Sequence, residues 1–235
     1  MIFGKDGVKP DPEKVETLKH ITRPENREEL VSFLCMMQAN AEFIENFAHK
    51  SACLRQMTRS SERFQWKKEQ QDCFDSLIQS FKNDTMLRYF CMKKPTYIMA
   101  DAHVTGLGVA LAQGDSIESA RPVAFASRST SDAEKNYPQL DLEAMALDYG
   151  LRRFRNYIVG SPHTIILVTD HKPLESVFND NRKGSIRTER IKMRHKTYGI
   201  RLSTEKVKQT AVTTSPDTQL HGNVYQLKNK LRLLI

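Results

Sequence analysis

Near residue 95 the spacing of apolar residues changes, and that change limits the possible folds more than any other feature of the chain. Before it, Leu30, Phe33, Leu34, Met37, Ala41 and Ile44 recur at three- and four-residue steps. That spacing lines one face of a helix. After it, apolar residues alternate or run in strand-length blocks, as in Thr96–Ala100, Gly106–Leu111 and Ile165–Thr169. A period near two reads as strand.

The first ninety residues are expected to be mainly helical. Asp11-Pro12 supplies an N-cap followed by a proline at the first helical position, and Val15, Leu18 and Ile21 follow on one face. Pro24 punctuates the chain. Asn26 with Glu29 three residues on makes a capping-box variant ahead of the second helix. A third helix is expected after Trp66, with Phe74, Leu77, Ile78 and Phe81 on its buried face. Beyond the change we read strands near 95–102, 105–113 and 121–127, a helix near 133–155 and a strand near 163–169. Helices near 172–178 and 186–197 and a last strand near 198–203 follow. Strands, helix, strand and helices in that order predict an α/β class with a mixed sheet flanked by helices. The expected divisions are 1–90, 91–203 and a divergent tail at 204–235.

Composition narrows the class of protein. Hydrophobic residues make up 39% of the 235 residues and charged residues 27%, as in ordinary soluble proteins. No apolar run approaches the roughly 20 residues that span a bilayer. The start, Met1-Ile2-Phe3-Gly4-Lys5-Asp6, lacks the pattern of a signal peptide, so a cytoplasmic or nuclear location and no membrane partner are expected. Cys35, Cys53, Cys73 and Cys91 form no Cys-x-x-Cys pair, and reduced thiols are expected. The net charge of +8 is unevenly spread: residues 182–235 hold 13 Lys/Arg against 3 Asp/Glu. Such a segment suits a polyanion such as nucleic acid, and it equally suits a solvated tail.

Three acids stand where apolar segments end or turn. Asp101 ends Thr96–Ala100, Asp170 closes Ile165–Thr169, and Glu143 lies in the helix-like stretch beginning near Gln139. An acid at the end of a hydrophobic strand is costly unless it is solvated or meets a cation. Two such strand ends and one helical glutamate can converge on a divalent metal, and hard oxygen ligands suit magnesium or manganese. Each acid also has a plain reading. Asp101 can be a turn residue, Glu143 a solvated helix position, and Asp170 the cap of the helix near Pro173. On the same helix Asp148 competes with Glu143, while Asp141 sits in the first turn, where it complements the helix dipole.

Ordered words along the chain carry a resemblance. They begin with Gly4-Lys5-Asp6-Gly7-Val8-Lys9-Pro10-Asp11-Pro12, Phe43-Ile44-Glu45-Asn46-Phe47-Ala48 and Phe64-Gln65-Trp66. Ala100-Asp101-Ala102, Pro122-Val123-Ala124-Phe125-Ala126-Ser127-Arg128 and Asp141-Leu142-Glu143-Ala144 come next, then Arg153-Phe154-Arg155-Asn156-Tyr157 and Thr169-Asp170-His171-Lys172-Pro173-Leu174. Over about residues 3–200 the chain resembles the pol polyprotein of gypsy-type LTR retrotransposons. The resemblance implies the thumb and connecting region of a reverse transcriptase, then an RNase H-like domain that hydrolyses RNA in RNA–DNA hybrids. It implies Asp101, Glu143 and Asp170 as catalytic, metal-binding carboxylates for Mg2+ or Mn2+, and a polymerase palm domain as partner in a longer polyprotein. Arg128, Lys172, Lys192 and Arg194 are expected to meet nucleic-acid phosphates. The chain departs from the pattern twice. The polymerase's Tyr-x-Asp-Asp word is absent, and no Ala-Asp-x-Leu-Ser-Arg-like word supplies a fourth carboxylate, since Asp217 stands in a different setting. The rival expectation is therefore an inactive module of the same fold that binds nucleic acid or a protein partner.

Overall fold

The structure, a computed structural model, describes residues 1–59, 63–82, 86–179, 183–196 and 200–203. The tail at 204–235, Asp217 within it, and the side chain of Phe81 lie outside the described residues.

The chain opens with a short antiparallel hairpin, β1 (Ile2–Gly4) and β2 (Gly7–Lys9). Among the described residues five α-helices follow: α1 (Pro12–Lys19), α2 (Arg27–Ala39), α3 (Phe47–Lys50), α4 (Ala52–Arg59) and α5 (Lys68–Lys82). The two expected caps are present. The Asp11 carboxylate accepts from the Glu13 amide with Pro12 at the start of α1, and Asn26 Oδ1 accepts from the Glu29 amide at 2.9 Å. Glu29 returns the favour by accepting from the Glu25 amide, one residue earlier than in a standard capping box. Leu18, Leu30, Phe33, Met37, Leu54, Phe74 and Leu77 form one apolar cluster between these helices.

The second helix is shorter than its apolar stripe suggests. It ends at Ala39, where the Asn40 amide closes onto the Gln38 and Met37 carbonyls. Ala41 and Ile44 belong to a 3-10 turn (Ala41–Phe43) and its exit. The hairpin was not expected either. Its β1 strand is exposed, and Val8 is held by paired hydrogen bonds with Leu87, far along the chain.

Among the described residues the mixed sheet has five strands in the order β5-β4-β3-β6-β7. The strands are β3 (Thr96–His103), β4 (Gly106–Gln113), β5 (Arg121–Ser129), β6 (Ile165–Val168) and β7 (Ile200–Ser203). The first three form an antiparallel meander, whereas β6 joins β3 and β7 joins β6 in parallel. Between β5 and β6 run α6 (Gln139–Arg153) and α7 (Arg155–Ile158). Between β6 and β7 run α8 (Lys172–Asn179) and α9 (Ile186–Arg194). This is the expected α/β fold, an RNase H-like mixed sheet flanked by helices and preceded by a mainly helical region.

The helix expected near 133–155 is broken. Glu134–Asn136 form a separate 3-10 turn, and Tyr137 and Pro138 are extended. A residue before proline is disfavoured in the helical region, so α6 begins only at Gln139. Against the sheet α6 buries Ala144, Leu147 and Leu151, which pack with Ile98, Val109, Leu111 and Leu167. Gly150 sets the closeness of that contact. A Cβ there would lie 2.9 Å from Ile98 Cγ2, so a side chain would push the helix off the sheet. The two regions also share a core, since Phe43 and Leu87 pack with Ala110 and Phe125. Among the described residues no helix is long and apolar enough to cross a membrane.

Candidate active site

The parallel pairing of β3 with β6 places two acid-bearing strand ends side by side. Met99 is in register with Val168, so Asp101 lies two residues beyond that pair on β3 and Asp170 two residues beyond it, just past the end of β6. Asp170 follows the end of β6 and is exposed. Above β3, α6 presents Glu143, which is buried to 4% exposure. Gln139, one turn earlier on α6, ties this helix to the strand. Its amide donates to the Ala102 carbonyl and to Glu143 Oε1, both at 3.0 Å. Glu143 Oε2 is buried with no hydrogen-bond partner.

The electrostatics agree with a shared location. Burial pushes the Glu143 carboxyl up to about 8, and the charges of Asp170 and Asp101 push in the same direction, against smaller stabilisation from Gln139 and the Ala102 backbone. The Asp101 carboxyl is also raised, by burial first and Asp170 second, and is partly relieved by His103 and Asn46. Like charges held near one another disfavour ionisation unless a cation intervenes. An orphaned, buried carboxylate oxygen beside two further acids fits a divalent cation chemically. Even so, among the described residues no three His, Cys, Asp or Glu side chains stand close enough together to hold one as posed. The trio is an acidic cluster rather than a closed cage.

The other acids of α6 do different work. Asp141 is buried, and its position in the first turn of α6 is not its whole role. It accepts from Ser185 Oγ at 2.6 Å and Thr188 Oγ1 at 3.1 Å, and pairs with Arg187 of α9. Asp148 is paired with Arg194 and Arg152 at 2.8 Å and with His195 Nε2 at 2.7 Å. Burial pushes its carboxyl up, but His195, Arg152 and Arg194 together hold it below the usual range. Partners from residues 185–195 gave these roles no local signal in the sequence.

The four cations expected to meet phosphates are placed differently from one another. Arg128 is bound at both guanidinium ends by Glu134, at 2.8 and 2.9 Å. That pairing, with the Ser131 amide, holds the Glu134 carboxyl down to about 2. Lys192 donates to the Val177 carbonyl at 2.8 Å. Arg194 is paired with Asp148 yet keeps its side chain 52% exposed. Lys172 opens α8 and is exposed. A groove of about 530 Å3 is lined by Arg187, Arg190 and Arg194 together with Tyr137. The Arg187 guanidinium lies 3.6 Å over the Tyr137 ring.

Residues from the helical region also reach the site. Asn46 Nδ2 donates to Asp101 Oδ2 at 2.9 Å. His49 Nδ1 meets Thr105 Oγ1 at 2.7 Å, and the centroid of the His49 ring lies 3.9 Å from that of His103, the rings tilted by 41°. Burial first, with His103 and Lys50 nearby, lowers His49 to about 4. Sequence reasoning did not reach these contacts, because they join segments more than fifty residues apart.

Residues 66–166 match the family model of the RNase H-like domain found in reverse transcriptase. The chain is 30% identical over 212 residues to the retrovirus-related Pol polyprotein from transposon opus of Drosophila melanogaster, covering 86% of this chain and 21% of that protein. It is 28% identical over 185 residues to the Pol polyprotein from transposon gypsy of the same organism, covering 74% and 17%. The chain thus spans about a fifth of the length of these relatives. Among solved structures, the foamy viral protease-reverse transcriptase in complex with RNA/DNA hybrid superposes with a TM-score of 0.67 at 16% identity. The superposition covers 91% of this chain and 30% of that one, a likeness of fold. The matched span, the sheet order and these relatives together identify a retrotransposon pol RNase H-like region.

Proposed function

We propose that this chain carries a divalent-metal-dependent endonuclease centre for the RNA strand of RNA–DNA hybrids, with Asp101, Glu143 and Asp170 as its metal-binding carboxylates. The observation that carries the proposal is Glu143, a wholly buried carboxylate with one orphaned oxygen, flanked by two more acids. An unpaired buried charge is expensive, and a hard cation is the partner that three carboxylates suit. When bound, paired magnesium or manganese ions supply an activated water and stabilise the departing 3′ oxygen of an in-line displacement. The chain's own residues hold the acids in place. Gln139 fixes Glu143 against the Ala102 carbonyl, and exposed Asp170 forms the open side toward substrate. Arg128, Lys172, Lys192 and Arg194 with the arginine groove of α9 face the phosphates, and hybrid shape and 2′-hydroxyl contacts select the substrate. A palm domain within a longer polyprotein, acting in the cytoplasm or nucleus, completes this proposal.

A second reading has its own support. The three acids are not posed within common metal reach among the described residues, and Arg128 and Arg194 are already paired internally. These features suit a module of the same fold that binds nucleic acid or protein without cleaving. Incubation of an RNA–DNA hybrid with the wild-type chain and Asp101→Asn separates the two. The nuclease gives magnesium-dependent cleavage that manganese enhances and Asp101→Asn strongly reduces. Equal background in both, with retained hybrid binding, assigns the binding module.

A further inference from the structure

We infer that Asn46 is a positioning residue for Asp101, so that the helical region contributes directly to the candidate metal site. The inference rests on the nuclease reading above for its consequence, but its geometry stands independently.

Asn46 sits between the Ala41–Phe43 turn and α3 with φ 52° and ψ 33°, the one residue other than glycine with a positive φ among those described. Asparagine is one of the few residues that tolerates this left-handed conformation. Its neighbours fix it there. Phe43, Ile44, Phe47 and Ala48 are all buried, and the Asn46 carbonyl accepts from the Lys50 amide at 3.1 Å. The turn therefore aims the side chain at the sheet instead of leaving it in solvent.

The sheet has made room for it. Asp101 on β3 is in register with Gly108 on β4, and a Cβ at Gly108 would fall 1.7 Å from Asn46 Oδ1. The amide occupies the space that any side chain at position 108 would fill. From there Asn46 Nδ2 donates to Asp101 Oδ2 at 2.9 Å. A neutral amide can orient a carboxylate while leaving its negative charge uncompensated, whereas a lysine or arginine there would compete with a cation. Two further bonds join the same regions a few residues away. The Ala48 amide donates to Ser127 Oγ at 3.0 Å, and His49 meets Thr105. Groups that orient metal ligands through hydrogen bonds tune the affinity of the site.

The test uses the full chain and three variants. Asn46→Gly keeps the left-handed backbone and removes the amide. Ser127→Ala breaks a different contact between the same regions and leaves Asp101 untouched. Mn2+ binding is followed by electron paramagnetic resonance of the free ion, without nucleic acid. Asn46→Gly is expected to weaken Mn2+ binding by about 10-fold or more, with a matching fall in kcat for hybrid cleavage and an unchanged KM. Ser127→Ala is expected to bind Mn2+ like the wild type. Independently of metal, the Asn46 side-chain amide resonances should shift in Asp101→Ala. If Asn46→Gly is folded and binds Mn2+ like the wild type, or if Ser127→Ala loses as much, the inference is overturned while the nuclease reading stands. If the wild type binds no Mn2+ yet the amide resonances respond to Asp101→Ala, the nuclease reading fails and the orienting contact stands. If those resonances do not respond, the orienting contact itself is refuted.

Discussion

The two halves of the molecule handle charge in opposite ways. In the helical region Glu13, Glu28 and Glu29 sit at exposed helix starts, Glu42 is half-buried, and the main cluster between the helices is apolar. In the sheet region a single helix, α6, carries Asp141, Glu143 and Asp148, which are the wholly buried acids among the described residues. Two of these are matched by cations and hydroxyls, and Glu143 is met only by the amide of Gln139 and the backbone near Ala102. Buried charge is tolerated when paired, so the unpaired member marks where the fold has given up stability.

That contrast can be broken most forcefully at Asp148. Removing one partner of a buried ion cluster strands the others, so Asp148→Ala is expected to cost about 3 kcal/mol in urea unfolding. This lies at the low end of the usual range because Arg152 and Arg194 keep their side chains 58% and 52% exposed. A loss under 0.5 kcal/mol would show that the cluster is no more than surface pairing. Asp101→Asn is expected to leave folding intact and reduce metal-dependent hybrid cleavage about 100-fold, equivalent to roughly 2.7 kcal/mol of barrier.

Glu143 should respond with the opposite sign. Its carboxyl is raised from 4.5 to about 8, so the folded chain holds a proton that the unfolded chain releases. The stability contributed by this group is complete below about 4.5 and is lost as pH climbs toward 8. Glu143→Gln keeps the site neutral, and without added metal it is expected to stabilise the chain at pH 8 by about 2 kcal/mol, with the gain shrinking toward pH 5. A destabilised Glu143→Gln at pH 8 would mean that the carboxylate is matched after all. The smallest effect belongs to the helical region. Asn26→Ala removes the cap of α2 and should cost about 1 kcal/mol, readable as a lower urea midpoint at both pH values.

Much of this was legible in the sequence because the signals were local. The apolar run 96–100 and the alternation over 106–111 read as strands, and Asp11-Pro12 and Asn26 as helix starts, since propensity and capping act within a few residues. The three acids stood out because strand ends and a helix carry them in order. The rest depended on partners far along the chain. The β1–β2 hairpin relies on Leu87, Asp141 on residues 185–188, and Asn46 on the space left by Gly108. Tyr137-Pro138 was a local signal that the long apolar stripe after it obscured. Arg128 pairs with Glu134 only six residues on, but across a strand end and a turn, and Lys192 reaches back fifteen residues to the Val177 carbonyl, so neither pairing follows from strand or helix spacing.

The two clamps on α9 have a consequence for how the chain opens to solvent. A nine-residue helix is too short to persist alone in water. Here Asp141 grips its first turn through Ser185, Arg187 and Thr188, and Asp148 grips its end through Arg194 and His195. Both grips lead to the same helix that carries Glu143. The backbone amides of α9 and α6 are therefore expected to exchange their hydrogens together, as one cooperative opening unit. Protection of α9 thus becomes a remote gauge of whether the platform beneath the acidic cluster is closed.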